Sequence, residues 1–237
     1  MRNGSDLTIE DCLIVNVDSN KNGNSMRLEN ATAELINVTM TSVATSGTDG
    51  GHLLVQNGAT LIADGLTVEN GTADRSGGGL YVENAVVDLT NCSFRTNTSL
   101  GGGSFDGGGA IFAHQSSTVL LTDCTFESNT AVDDGGAVQV RDNSTVLAVS
   151  GSVFNANSAK SGGHLSTHAG ASSVLTDSVL LLGNSLGSGG AIYLTDSGTV
   201  SVDGCTLADN TAGINGGAVA TTSISGGASL YLSLIHI

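Results

Sequence analysis

The sequence predicts an all-β fold: a right-handed single-stranded parallel β-helix with about 27 residues per coil and three short strands per coil. Three observations predict it. A Gly-Gly pair recurs along the chain, and the last five pairs have a spacing of 27 residues, with second glycines at Gly109, Gly136, Gly163, Gly190 and Gly217. Apolar residues alternate with other residues after each pair, and an asparagine closes each repeat. A fixed period in this range is typical of a solenoid in which successive repeats stack on one another.

The first predicted strand of each coil follows the Gly-Gly pair. Its first and third residues are apolar or small, and this period of two indicates a strand with one buried face. The pairs that we expect to point inward are Leu53/Val55, Leu80/Val82, Ile111/Ala113, Val138/Val140, Leu165/Thr167 and Ile192/Leu194.

Two further strands complete each coil. The inward pairs expected in the second strand are Leu61/Ala63, Val87/Leu89, Val119/Leu121, Val146/Ala148 and Val200/Val202, and those in the third are Cys92/Phe94, Cys124/Phe126 and Cys205/Leu207. The strands are too close together for helical crossovers, so each should pair in parallel with its equivalent in the next coil, ~4.8 Å away. Parallel connections of this kind are right-handed in the large majority of proteins. Cys92 and Cys124 would then be neighbours, and the sequence leaves open whether they form a disulfide.

Asparagine and glycine mark the corners between strands. Asparagine tolerates left-handed backbone angles, and its amide can bond to the equivalent amide of the next coil. We therefore expect a structural ladder of stacked asparagines: Asn70, Asn97, Asn129, Asn157, Asn184 and Asn210. The glycines mark another corner, where a side chain would collide with the adjacent coil.

Composition excludes several classes of protein. The 237 residues include 34 glycines, no proline and no tryptophan, which argues against a sandwich or a helical bundle, and 39% hydrophobic residues argue against disorder. The formal net charge of −15 makes nucleic acid and anionic membrane surfaces poor partners. No segment approaches the ~20 apolar residues of a membrane-spanning helix.

Both ends of the chain suggest a truncated protein. Residues 1–21 have the pattern of the second half of a repeat whose first half is missing. The last six residues, 232–237, match one reading frame of a sequencing-library adapter, so we interpret them as a translation artefact. We expect residues 1–231 to be a β-helix fragment truncated at both ends.

The repeats resemble those of the polymorphic outer membrane protein family, within the larger pectate-lyase-like β-helix group. The resemblance rests on Gly-Gly-Ala-Ile/Val combined with Phe-x-x-Asn, as at Phe94–Asn97 and Phe126–Asn129, and it covers the chain from Gly23 to about Leu230. It implies a surface-exposed passenger with an adhesive role, located outside the cell or at the outer membrane. Its partners would be a host or neighbouring cell surface or a polysaccharide, and any membrane attachment would require an anchor or barrel domain that is missing here.

The outward residues of the first strand form two columns of candidate site residues. One column contains Tyr81, Phe112 and Tyr193, which we expect to bind a ligand as aromatic platforms. The next contains Glu83, His114, Arg141 and His168, on four successive coils roughly 5 Å apart. In an enzyme, Glu83 and His114 could serve as acid and base, and Arg141 could bind a uronate carboxylate. The alternative is a solvated strand face with modest cross-strand charge pairs.

Three acidic residues near the glycine corner, Asp106, Asp133 and Asp134, fall on adjacent coils. Such oxygens could bind calcium, the single cofactor that the sequence suggests, and the alternative is ordinary Asp-Gly turn chemistry. An enlarged loop at Ser99–Phe105 is either a recognition loop or a tolerated insertion.

The sequence therefore favours a secreted or surface-displayed β-helix that presents a long face for adhesion. Two alternatives stay open. One is a polysaccharide lyase or glycoside hydrolase that uses the outer face of the first sheet, and the other is a structural stalk.

Overall fold

The computed structural model describes residues 4–15, 22–23, 25–41, 49–103, 106–222 and 227–233. These residues form an all-β, right-handed parallel β-helix, which confirms the predicted fold class. Every strand pairing is parallel and joins equivalent strands of successive coils. No helix occurs among the described residues.

The first sheet carries the candidate site on its outer face. Numbered along the chain, its strands are β3 (Met26–Glu29), β6 (Leu53–Gln56), β10 (Leu80–Glu83), β14 (Ile111–His114), β18 (Val138–Val140), β22 (Leu165–Thr167), β26 (Ile192–Thr195) and β30 (Val219–Thr222). Equivalent residues are 27 apart, except that Leu80 pairs with Ile111, 31 residues later. The additional residues lie in the predicted enlarged loop, of which residues 104–105 are outside the described part.

The second sheet has the longest strands and continues each coil after the first corner. Its strands are β1 (Asp6–Glu10), β4 (Thr32–Ile36), β7 (Thr60–Asp64), β11 (Val86–Thr90), β15 (Thr118–Thr122), β19 (Val146–Ser150), β23 (Ser172–Thr176), β27 (Thr199–Asp203) and β31 (Ser229–Ser233). Leu232 and Ser233 of the predicted artefact thus belong to a strand that pairs with β27, and residues 234–237 lie outside the described residues.

The third sheet consists of three-residue strands: β2 (Leu13–Val15), β5 (Thr39–Thr41), β8 (Thr67–Glu69), β12 (Ser93–Arg95), β16 (Thr125–Glu127), β20 (Val153–Asn155), β24 (Val179–Leu181) and β28 (Thr206–Ala208). A fourth sheet of two-residue strands follows the asparagine corner and adds to the three predicted strands per coil. It contains β9 (Thr72–Ala73), β13 (Thr98–Ser99), β17 (Thr130–Ala131), β21 (Ser158–Ala159), β25 (Asn184–Ser185) and β29 (Thr211–Ala212).

The core is a row of apolar side chains stacked along the axis of the helix. The rings of Phe94, Phe126 and Phe154 lie parallel, with centroids 5.3 Å and 4.7 Å apart. Full burial of one such side chain contributes about 1.5–3 kcal/mol. Close coil packing explains the second glycine of each pair, because a Cβ on Gly136 would lie 2.2 Å from the carbonyl oxygen of Gly163. Cys92 and Cys124 are buried free thiols.

One inward pair of the second sheet differs from the prediction. In β19 the buried residues are Leu147 and Val149, whereas Val146 and Ala148 face outward. Residues 146–149 are all apolar or small, so a period of two fits equally well with the even-numbered or the odd-numbered residues pointing inward. The sequence pattern therefore cannot choose between the two registers. In the structure, Leu147 and Val149 pair with the inward residues Val119 and Leu121 of β15, and the buried Thr145 hydroxyl accepts a hydrogen bond from the Ser116 N–H of the previous coil.

The asparagine ladder forms at three successive coils. The Asn97 amide nitrogen donates to Asn129 Oδ1 at 3.0 Å, and Asn129 donates to Asn157 Oδ1 at the same distance. Each amide nitrogen also donates to a backbone carbonyl of the previous coil, and all three side chains are buried. Asn210 has the equivalent bond, to Leu180 O at 2.9 Å.

Asn70 and Asn184 lie outside this ladder. Both are exposed, and the ladder positions of their coils are occupied by Gly71 and Gly183, whose N–H groups donate to Asn97 and Asn210. The left-handed residue of this corner is the one before the ladder position, as Asn70 (φ 55°) shows. The asparagines of the ladder are therefore selected for their amide hydrogen bonds, and the backbone angle is a property of the preceding residue.

Two buried histidines take the place of the missing ladder asparagines. His164 Nδ1 accepts from the Asn157 amide at 3.0 Å, and its Nε2 donates to Asn210 Oδ1 at 3.2 Å. His52 accepts from the Ser25 hydroxyl and donates to the carbonyl of Glu69. Burial lowers the pKa of both imidazoles to about 4, so both are neutral at pH 7.

Candidate functional site

The register of the first sheet brings the two predicted columns of side chains together. Tyr81 lies beside Phe112 and Glu83 beside His114, one coil apart. The Arg141 N–H donates to Ala113 O, and the His168 N–H donates to Val140 O, so both side chains continue the second column. Parallel pairing of equivalent strands is thus what places an acid, two imidazoles and a guanidinium in one row.

Phe112 and Tyr81 do not form open aromatic platforms. Phe112 is 3% exposed, and the Tyr81 ring stacks on it with centroids 5.4 Å apart and planes inclined by 15°. Stacking along the helix axis turns the faces of the rings toward neighbouring coils, so the hydroxyl end of Tyr81 is what reaches the cleft. Tyr193 is also half-buried, and its ring contacts His168 edge-on at 5.7 Å.

The first cleft surrounds the Tyr81 hydroxyl and has a volume of ≈ 240 Å³. Its lining residues are Arg75, Ser76, Tyr81, Phe112, His114, Arg141 and Asp142. The Tyr81 hydroxyl is 2.7 Å from His114 Nε2, and His114 Nδ1 is 3.5 Å from an Asp142 carboxylate oxygen. With His114 neutral, Tyr81 donates to Nε2 and the imidazole proton is on Nδ1, facing Asp142. A phenol, an imidazole and a carboxylate therefore form one connected row.

Burial keeps the Tyr81 phenol and the His114 imidazole neutral. It lowers the pKa of His114, against the opposing effect of Asp142, and it raises the pKa of Tyr81 well above its usual value. Burial and the nearby Asp49 raise the pKa of Glu83, whose carboxylate lies 4.0 Å from His114 Nε2. The cleft can therefore accept or donate protons and hydrogen bonds without a buried unpaired charge.

The cations of the first cleft are already paired with acids of the protein. Arg141 Nε lies 3.3 Å from Asp142, and Arg75 Nε lies 3.3 Å from Asp106. This arrangement differs from the predicted role of Arg141 as a partner for a uronate. Sequence reasoning also missed Arg75 and Asp142. For Arg75 the available signal was the rarity of cations, since the whole chain has seven Lys and Arg residues.

A second cleft of ≈ 170 Å³ lies further along the same face. It is lined by Asp133, Asp134, Lys160, His168, Tyr193, Thr195 and Asp196. His168 Nε2 is 3.4 Å from Asp134 Oδ2, outside hydrogen-bond geometry. Burial lowers the pKa of His168 to about 4, and burial followed by the charge of Asp133 raises the pKa of Asp134 to about 7.

The three candidate calcium ligands have other partners. Asp106 pairs with Arg75, Asp133 pairs with Lys160 at 3.0 Å, and Asp134 faces His168. Within the described part of the chain, no group of three or more His, Cys, Asp or Glu side chains could hold a metal ion. The structure therefore does not bring these acids together as a calcium site.

Comparison with known proteins supports the fold but identifies no individual relative. The profile of a family described as the right-handed β-helix region matches residues 1–226. No curated protein and no solved structure matches the chain. In the described residues, there is no helix long and apolar enough to cross a membrane.

Proposed function

The chain belongs to the right-handed β-helix region family, and from this premise we propose that it is a secreted or surface-displayed protein that binds a neutral glycan in the first cleft. Fold membership alone is compatible with both binding proteins and hydrolases, so the proposal depends on the site. The observation that carries it is the row of Tyr81, His114 and Asp142 at the base of a cleft.

The row matches the chemistry of sugar hydroxyls. Each hydroxyl both donates and accepts a hydrogen bond, and the cleft offers a phenol, an imidazole and a carboxylate within a few ångströms. Fixed polar groups in a concave site orient a ligand and provide specificity. Such a site holds one or two sugar units at a time in ≈ 240 Å³.

The charges of the cleft favour a neutral glycan over an acidic one. Arg75 and Arg141 are paired with Asp106 and Asp142, and the chain has a net charge of −15. A carboxylated sugar would have to displace an existing partner and approach an acidic surface. The proposed partners are therefore neutral polysaccharides, including those on a host or neighbouring cell surface. Attachment to a membrane would use an anchor or barrel domain outside this chain.

Binding can be tested by applying the full chain to an array of neutral and acidic glycans, followed by calorimetry. We expect retention on a neutral glycan, and Tyr81→Phe should weaken the binding about fivefold, because loss of a hydroxyl hydrogen bond costs about 1 kcal/mol. Tyr231→Phe is the matched control, since Tyr231 is 62% exposed on the second sheet. No retention on any glycan would contradict the proposal and leave the structural stalk.

Cleavage of the bound glycan is a second candidate function. It is favoured by the position of His114, which has Glu83 near one nitrogen and Asp142 near the other. Glu83, whose pKa is raised by burial and by Asp49, could act as the acid toward a leaving oxygen, and neutral His114 could accept a proton from water once the Tyr81 hydroxyl no longer donates to its Nε2. Release of reducing ends that disappears in His114→Ala, with unchanged circular dichroism, would support this function. Activity that survives the substitution would end it.

A further inference from the structure

We propose that Cys92 and Cys124 form a disulfide that joins the two coils on which the first cleft is built. Tyr81 and Cys92 lie on one coil, and His114 and Cys124 lie on the next. Both thiols are free in the structure, so the proposal concerns the oxidised protein. It goes beyond the proposed function and does not depend on glycan binding.

The strand register places the two cysteines directly beside each other. Each residue of β11 pairs with the residue of β15 that is 32 positions later, and β12 and β16 pair with the same offset. Cys92 and Cys124 lie between these strands and have this offset, so they are in register. Neighbouring parallel strands are ~4.8 Å apart, which is within the Cα separation of about 4.4–6.8 Å that disulfides require. Both side chains are buried in the core.

The two thiols contact each other inside the core. Their mutual hydrogen bond is the first cause that raises the pKa of Cys92, and it lowers the pKa of Cys124 against the opposing effect of burial. Cys124 is therefore the sulfur that loses its proton first. A thiolate is the form of cysteine that reacts with a disulfide, so Cys124 is the nucleophile of the pair.

Hydrogen bonding alone does not require sulfur at this position of the coil. On the next coil the Ser152 hydroxyl accepts from the Cys124 N–H at 3.0 Å, and on the one after it the Ser178 hydroxyl accepts from the Ser152 N–H at 3.2 Å. Serine therefore makes the same bond as cysteine. What distinguishes Cys92 and Cys124 is that they occupy adjacent coils.

The location of the pair gives the bond a structural effect. The enlarged loop lies between Cys92 and Cys124, in the coil whose length is 31 residues instead of 27. A disulfide between the two cysteines would close this longer coil, and the stabilisation by a disulfide rises with the length of the loop that it closes. The bond would also hold the coil of Tyr81 against the coil of His114.

Formation of the bond requires an oxidant, which a small disulfide such as oxidised glutathione supplies. The Cys124 thiolate attacks one sulfur of this disulfide, which forms a mixed disulfide and releases one glutathione thiolate. Cys92 then loses its proton and attacks the Cys124 sulfur, which releases the second glutathione. The two protein thiols lose two electrons and two protons, and the small disulfide becomes two thiols. Because both sulfurs are buried, the exchange takes place before the coils are fully packed.

The test is refolding of the full chain from urea in a mixture of reduced and oxidised glutathione, followed by N-ethylmaleimide and digestion with trypsin. Cleavage at arginine places Cys92 in peptide 76–95 and Cys124 in peptide 96–141, and the other two cysteines are in other peptides. We expect these two peptides to be joined until a reductant is added. Recovery of both as separate alkylated peptides, or joined to the other cysteine peptides instead, would overturn the proposal.

Thermal unfolding measures the effect of the bond on stability. A reductant should lower the unfolding midpoint of the refolded chain by about 6–12 °C, because the bond closes a loop of about 30 residues. Cys92→Ser should abolish this response. Cys205→Ser is the matched control and should keep it, since Cys205 is buried at the equivalent position beside Ser178.

Two results of this measurement would contradict the clip. One is a wild-type midpoint that is the same with and without reductant, and the other is a Cys92→Ser variant that responds as the wild type does. The peptide analysis uses the wild-type chain, so it stays informative if a variant does not fold. None of these results bears on glycan binding in the first cleft.

Discussion

Two residue positions on one coil change together in this solenoid. Where the ladder residue is Asn129, the residue after the Gly-Gly pair is Ala110, but where the ladder residue is Gly183, the corresponding residue is His164. A Cβ on Gly183 would lie 2.7 Å from His164 Cδ2 and 2.4 Å from the carbonyl oxygen of Gly190, so the imidazole and this carbonyl together occupy the space of the absent amide side chain. His52 and Gly71 repeat the same exchange.

This exchange predicts a compensating pair of substitutions. His164→Ala should destabilise the protein by about 2–4 kcal/mol, because the Asn157 amide and Asn210 Oδ1 lose a buried partner. Gly183→Asn alone should also destabilise it, because its Cβ would clash with the imidazole and with the Gly190 carbonyl oxygen. The double variant restores the Ala/Asn combination and removes the clash with the imidazole, although not the one with the Gly190 carbonyl, so it should be more stable than Gly183→Asn alone in urea unfolding. Strictly additive losses would contradict the exchange.

At the residue scale, the sequence predicted most ladder positions and missed two. Asn97, Asn129, Asn157 and Asn210 were assigned from their spacing. Asn70 and Asn184 each lie one residue away from the ladder position of their coil. The spacing of the repeats does not resolve a difference of one residue, and only the path of the backbone distinguishes the ladder position from its neighbours. The roles of His52 and His164 could not be predicted, because a hydrogen-bonded buried imidazole depends on contacts with other coils.

At the scale of the strand, an inward position and an outward position should respond differently to substitution by aspartate. Ile111→Asp in β14 places a carboxylate in the core, where Ile111 is fully buried, and should unfold several coils. Val146→Asp in β19 is the matched control, since Val146 is 37% exposed, and should change stability by less than about 0.5 kcal/mol. Circular dichroism and urea unfolding measure both, and similar losses would refute the assigned faces.

The candidate site could be predicted only as far as the strands extend. The period of two and the repeat spacing placed the candidate residues in two columns, and the observed strand register confirms that arrangement for Tyr81, Glu83, His114, Arg141 and His168. Arg75 and Asp142 lie at the corners on either side of the strand, where local sequence does not determine how the chain folds back. The direction of the Tyr81 ring was likewise missed, because it depends on stacking with the next coil.

At the scale of the whole molecule, buried imidazoles should make the fold sensitive to acid. His52, His164 and His168 have pKa values of about 4 instead of 6.5, so the unfolded chain binds protons that the native chain excludes as the pH falls from 6.5 to 4. Stability is therefore lost in that range. Asp134, with its pKa raised to about 7, opposes the loss, because the native state protonates first.

Together, the three imidazoles and the opposing carboxyl of Asp134 should lower the free energy of unfolding by on the order of 5 kcal/mol between pH 7 and pH 4. Urea unfolding at several pH values measures it. The His164→Ala/Gly183→Asn variant lacks one buried imidazole, so its stability should fall less over the same range. An unfolding midpoint that does not change between pH 7 and pH 4.5 would show that these histidines are protonated in the native state.

Parallel pairing of every coil with the next has a mechanical consequence. The hydrogen bonds of all four sheets run along the axis, and each coil is held mainly by its two neighbours. Tension applied to the two ends of the chain would therefore peel coils away one at a time, from the ends inward. Each released coil of 27 residues frees about 90 Å of extended chain. The protein would therefore lengthen in regular steps under tension, and each step would dissipate part of the mechanical energy applied to its two ends.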